Sequence, residues 1–117
     1  MKMQPDSDLL RGNTPTLVLA VLQDAPYHGY AIASEIDRRS NNALKLKQGT
    51  LYPALHALER DGLIVSEWEI MEGERPRRVY KITEAGRTEL ARRMRSWSDF
   101  ATAMTSVIGG DLREQPA

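Results

Sequence analysis

The chain contains no cysteine. That excludes a disulfide framework and thiolate metal sites, and it fits a reducing cytosol. No apolar run approaches membrane-spanning length, and the first residues, MKMQPDSD, lack the apolar core of a signal peptide. The protein is therefore expected to be soluble and cytoplasmic. Internal repeats and low-complexity stretches are also missing. Histidine is scarce: His28 and His56 are the only two, and they stand far apart without companions. Neither a metal site nor a cofactor is expected. Net charge is missing as well, because 16 Lys and Arg balance 16 Asp and Glu. Whole-chain charge thus gives no reason to expect nucleic-acid binding.

The distribution of charge says more than its sum. Between Arg38 and Leu58 the charged residues are Arg38, Arg39, Lys45 and Lys47, with no acid among them. Between Arg75 and Ile82 they are Arg75, Arg77, Arg78 and Lys81, again with no acid. The acids gather at Asp6, Asp8 and in the run Glu67, Glu69, Glu72, Glu74. Separated basic patches can make an electrostatic footprint on a neutral chain. Either patch alone also fits an ordinary solvated face.

At 117 residues the chain is the size of one domain. A first helix is expected from Leu9 or from Thr14-Pro15, since Thr caps a helix and Pro fits its first position. DAPYHG ends it. A short second helix carries Ile32 and Ile36, and SNNA stops it. The third helix is read from GTLYPALHALERDGLI, residues 49 to 64, with Leu51, Leu55 and Leu58 on one buried face. Pro53 is tolerable only within the first turn, which places the start between Gln48 and Thr50. Asp61-Gly62 supplies the stop. Two strands follow, from Ile64 to Ile70 and from Arg77 to Ile82, joined by MEGERPR as a hairpin. Trp68 is expected to pack on a strand face or in the core. Arg77 and Arg78 must point to opposite faces, so only one can share the side of Tyr80.

The last helix is capped by Thr83. Leu90, Met94, Trp97, Ala101, Met104 and Ile108 follow at spacings alternating between four and three, a heptad seam. Such a seam predicts a partner helix from a second copy. The expected organisation is a winged helix-turn-helix over residues 9–82, a dimerisation helix over 83–108, and flexible tails at 1–8 and 109–117. The fold class is mainly α with a small β-hairpin.

Three helices and a hairpin with an exposed third-helix start suit DNA. The major groove admits one helix, whose first turns reach base edges, and flanking basic groups hold phosphates. Lys45, Lys47, Gln48, Thr50, Tyr52 and His56 are the candidate contacts from the helix, and Arg75, Arg77 and Arg78 from the wing. Each has a plainer reading. Tyr52 can pack on the second helix, and Thr50 can serve only as an N-cap. Enzymatic pairs such as Ser34 with Glu35, or His56 with Glu59, are ordinary helix neighbours, so no catalytic role is assigned. A winged helix that binds only protein is the alternative from another class.

LKQGTLYPALHALERDGLI followed by SEWEIMEGERPRRVYKITEAGRTEL resembles the PadR family of bacterial transcriptional regulators, and HGYAIASEI fits its second helix. The resemblance covers roughly residues 9 to 108. It implies a winged-helix DNA-binding domain and a C-terminal helix that builds a homodimer on a palindromic operator. It further implies that such regulators often sense small aromatic or planar molecules. Trp97 and Ala101, with Ser96 and Ser98 beside them, are the candidate effector site. The alternative is that two facing indoles fill the seam themselves. Two positions depart from the family's usual pattern: Glu74 stands where glycine is usual, and Val79 where an aromatic is common.

Overall fold

A helix that continues through a proline opens the chain. The computed structural model describes residues 7–109, and there α1 runs from Ser7 to Asp24 with Pro15 inside it. Thr14 is therefore not an N-cap. It is buried in mid-helix, and its hydroxyl donates to the Leu10 carbonyl at 2.7 Å. Asn13 donates in the same way to the Leu9 carbonyl at 2.8 Å. These back-bonds occupy carbonyls in the turn where proline brings no N–H. Of the expected flexible tails, residues 1–6 and 110–117 lie outside the described residues. Ser7 and Asp8 belong to α1, and Gly109 caps the last helix.

Next come β1 (Tyr27–His28), α2 (Gly29–Arg39) and α3 (Gln48–Arg60). Asn41 and Asn42, both at positive φ, turn the chain out of α2, a conformation asparagine tolerates better than most residues. The end of α3 is a Schellman turn. Leu63 N–H donates to the Leu58 carbonyl and Gly62 N–H to that of Glu59, while Gly62 takes a φ of 75°. β2 (Ile64–Glu69) and β3 (Arg77–Ile82) then form the hairpin. The two-residue β1 pairs with the other side of β3, so the sheet has three antiparallel strands in the order β1-β3-β2. A two-residue strand shows no alternation, so only the hairpin was legible from spacing.

The core draws Val18, Leu19 and Leu22 from α1, Ile32 and Ile36 from α2, and Leu51, Leu55 and Leu58 from α3. Ile64, Tyr80 and Ile82 from the sheet close it. Burial pushes the Tyr80 phenol above its ordinary pKa. The last helix, α4 (Glu84–Ile108), starts on this core. Thr83 caps it by accepting from Gly86 N–H at 3.0 Å and donates to the Gly62 carbonyl at 2.8 Å. A Cβ on Gly86 would stand 2.1 Å from the Leu63 carbonyl oxygen, so only glycine permits the approach. The molecule is a winged helix-turn-helix with a long terminal helix.

Leu90 departs from its expected place in the seam. It is 1% exposed and lies within the chain's own core, where α4 packs beside α1. Truncating it leaves a cavity in that core, so Leu90→Ala is expected to lower the unfolding free energy by about 2–5 kcal/mol in a denaturant titration. An unchanged unfolding midpoint with loss of self-association would return Leu90 to an interface.

Candidate nucleic-acid interface

The outward face of α3 is set by its inward one. With Leu51, Leu55 and Leu58 buried, Gln48, Tyr52 and His56 recur every four residues along another side. Gln48 and His56 are exposed and Tyr52 is half-buried. Lys47 is the N-cap, so Thr50 is not; Thr50 lies inside the first turn, its N–H donating to the Lys47 carbonyl at 2.9 Å. Tyr52 packs on Gly29, where an added Cβ would come within 3.0 Å of its hydroxyl. That contact seats the start of α2 against the first turns of α3. His28 and Lys47, the N-caps of α2 and α3, make no side-chain cap bond, unlike Thr83 on α4. Uncapped first-turn N–H groups favour an anion such as phosphate.

Most of the first basic patch is neutralised inside the chain. Arg38 and Arg39 both reach Glu35, Arg39 reaches Asp24 at 2.8 Å, and Lys45 lies 3.6 Å from Asp37. The Arg38 hydrogen bond, opposed by burial and reinforced by both guanidinium charges, holds the Glu35 carboxyl at about 2. Tyr27 also donates to Glu35 at 3.3 Å, which ties β1 to α2. Among the described residues Lys47 has no ion-pair partner. It is the cation of this patch left for an external anion.

The wing divides in the same way. Arg78 is the arginine on the side of Tyr80, opposite Trp68 in the register. Its Nε donates to Ser66 Oγ at 2.7 Å, and Ser66 donates to Glu59 of α3, also at 2.7 Å. Its guanidinium lies 3.7 Å from Glu59 and 5.4 Å from the centre of the Trp68 ring. Trp68 is 60% exposed, so it is a surface plate for Arg78 rather than a core residue. Arg77 points to the other face, 3.5 Å from Glu69 and 3.7 Å from Glu74. Glu69 also meets His28 Nε2 at 3.3 Å. Arg75, in the exposed turn, has no ion-pair partner among the described residues. No group of three or more His, Cys, Asp or Glu able to hold a metal occurs among the described residues.

On α4, Met94, Trp97, Met104 and Ile108 are exposed and Ala101 is half-buried. Phe100 and Val107 join them, 62% and 87% exposed. The sequence offered a signal for these two, since each lies three residues beyond a seam position, but the strict seam passed over them. Met94, Trp97, Ser98 and Ala101 form one wall of a groove of about 620 Å³, and Leu9, Leu10, Asn13 and Leu17 of α1 form the other. Arg92 leads in holding the Glu89 carboxyl at about 2, and Arg93 assists.

Residues 18–92 match the Transcriptional regulator PadR-like family. A transcriptional regulator of Mycobacterium tuberculosis is 41% identical over 87 residues, spanning 74% of this chain and 75% of its own. Among solved structures, a transcriptional regulator from Clostridium thermocellum superposes with a TM-score of 0.80 at 27% identity, over 87% of this chain and 96% of its own. Bacillus subtilis PadR in complex with operator DNA shares the fold, with a TM-score of 0.62 at 24% identity, over 68% of this chain and 45% of its own. The chain belongs to the PadR-like family of transcriptional regulators. No helix among the described residues is long and apolar enough to cross a membrane.

Proposed function

We propose that this regulator binds double-stranded DNA in the cytoplasm as a homodimer on a palindromic operator, and acts as a repressor. The observation that carries the reading is the start of α3: an uncapped helix end with Lys47 unpaired among the described residues and Gln48 and His56 exposed along the face that Tyr52 shares. That the structural relative from Bacillus subtilis is bound to operator DNA supports the same docking. Arg75 adds a wing contact. Thr50 and Lys45 are supporting groups, the first half-buried and the second shared with Asp37. Repression is the effect that occupying promoter DNA produces by itself. Two recognition helices related by two-fold symmetry call for half-sites about 34 Å apart, or a multiple of that.

Roles separate by charge and by hydrogen-bonding capacity. Lys47→Ala is expected to weaken binding across all sequences and to lower the slope of log affinity against log salt by about one. Gln48→Ala is expected to change which duplexes emerge from selection on a random pool. Wild-type protein with no salt-sensitive binding to any duplex would leave the alternative, a winged helix that engages protein alone.

The dimer is assigned to the exposed stretch of α4. Met94, Trp97, Phe100, Met104, Val107 and Ile108 leave a long apolar face on one helix, the kind of surface that marks an interaction site. Met94→Asp puts a carboxylate into that face, at a cost of several kcal/mol per buried charge. The expected result at micromolar concentration is a monomer by light scattering, with operator affinity reduced. A dimer of unchanged size would move the interface elsewhere.

The effector reading rests on the groove between α1 and α4. Its volume suits a small ligand, its walls are mainly apolar, and the Trp97 indole offers a flat face. A ligand alters operator affinity only by favouring one arrangement of the two halves over another. Planar aromatic compounds are expected to quench Trp97 fluorescence and to weaken operator binding. Trp97→Ala should abolish the quenching, leaving Trp68 as the sole tryptophan. Quenching that survives the substitution would locate the ligand elsewhere.

A further inference from the structure

The wing carries three arginines, and among the described residues anions meet two of them, Arg77 and Arg78. Arg78 is spanned by Ser66, Glu59 and the Trp68 ring. Arg77 lies between two carboxylates, Glu69 across the strand pair and Glu74 from the turn. Glu69 is already shared with His28 and sits on β2, so its place is fixed by the ladder. Glu74 differs. It is exposed, and it lies in the turn between the strands beside Gly73, whose positive φ shapes that turn. Its carboxylate is therefore the removable one. A carboxylate at 3.7 Å offers Arg77 the negative oxygens that a phosphate would offer, and it repels a phosphate that approaches the same guanidinium.

We propose that Glu74 is an affinity-setting residue of the wing: with Glu69 it occupies the Arg77 guanidinium and withholds that cation from the DNA backbone, leaving Arg75 as the wing's phosphate contact. The inference rests on the DNA-binding reading above and deepens it. Backbone contacts supply the sequence-independent part of the affinity. A regulator must hold that part low if base contacts from α3 are to decide where it sits. The self-neutralised wing does so with residues of its own chain.

The probe is a labelled 40-base-pair duplex of random sequence, titrated with the full chain between roughly 50 and 200 mM salt. Wild-type protein is expected to bind it weakly with a measurable salt slope. Glu74→Gln should tighten binding about threefold to tenfold at the lower salt and steepen the slope by about one phosphate contact. Arg77→Ala in the wild-type background should change affinity less than about twofold, and in the Glu74→Gln background it should remove the gain. Glu72→Gln changes formal charge equally at a neighbouring acid with no arginine partner among the described residues, so it should give a smaller gain and no dependence on Arg77. Three outcomes overturn the inference while leaving DNA binding intact: no change with Glu74→Gln, a gain that persists without Arg77, or an equal gain from Glu72→Gln. Wild-type protein with no salt-sensitive binding would sink the DNA-binding reading itself, and this inference with it.

Discussion

The carbonyl of Leu63 is the point on which the rest of the architecture turns. It accepts from Thr83 N–H at 3.1 Å, and the backbone of Gly86 lies so close to it that no side chain fits between them. The residue before it, Gly62, gives its carbonyl to the Thr83 hydroxyl. One short turn thus closes the end of α3, starts β2 and receives the first turn of α4. The direction in which α4 leaves is fixed relative to α3 over a few residues of backbone. Leu90, one turn further on, seals that direction into the core. A helix that exposes apolar residues further along is therefore held at a set angle to the helix whose first turn faces outward.

Much of this was legible because it depends on local spacing. The three leucines of α3, the position of Pro53 and the Asp-Gly stop placed that helix within a residue or two of its observed limits. The wing strand RRVYKI was readable from alternation alone. What was not legible depended on contacts between distant segments. Of the two starts read for α1, Leu9 lies near the observed Ser7. Thr14-Pro15 also satisfies every local rule for a helix start, yet burial of Val18 and Leu19 below it and the groove that Leu9 and Leu10 line with α4 accompany a helix that runs through. Leu90 fits a heptad equally well whether its partner is another chain or its own core. Spacing cannot distinguish the two.

Charge was the least legible property. Arginine and lysine runs without acids look like open cation patches, because the acids that neutralise them are far along the chain or one helical turn away. Asp24, Glu35 and Asp37 take up Arg38, Arg39 and Lys45, Glu69 and Glu74 take up Arg77, and Glu59 takes up Arg78. Exposed pairs of this kind add little stability, typically 0 to about 1 kcal/mol each. Their effect is to decide which cations remain for an outside partner. Among the described residues of the two patches Lys47, beside α3, Arg75, in the wing turn, and Lys81, on β3, have no ion-pair partner.

Pro15 divides α1 into two lengths with different anchors. The later length holds Val18, Leu19, Val21 and Leu22 in the core, and the earlier one, apart from the buried Thr14, lines the groove that faces α4 around Trp97. A missing N–H at the boundary removes a rung from the ladder that would otherwise make the helix open as a single unit. Amide hydrogens before residue 15 would then exchange with solvent through local opening, while those after it wait for the whole domain to unfold. The groove between α1 and α4 is thus bounded on one side by the less strongly anchored end of a helix.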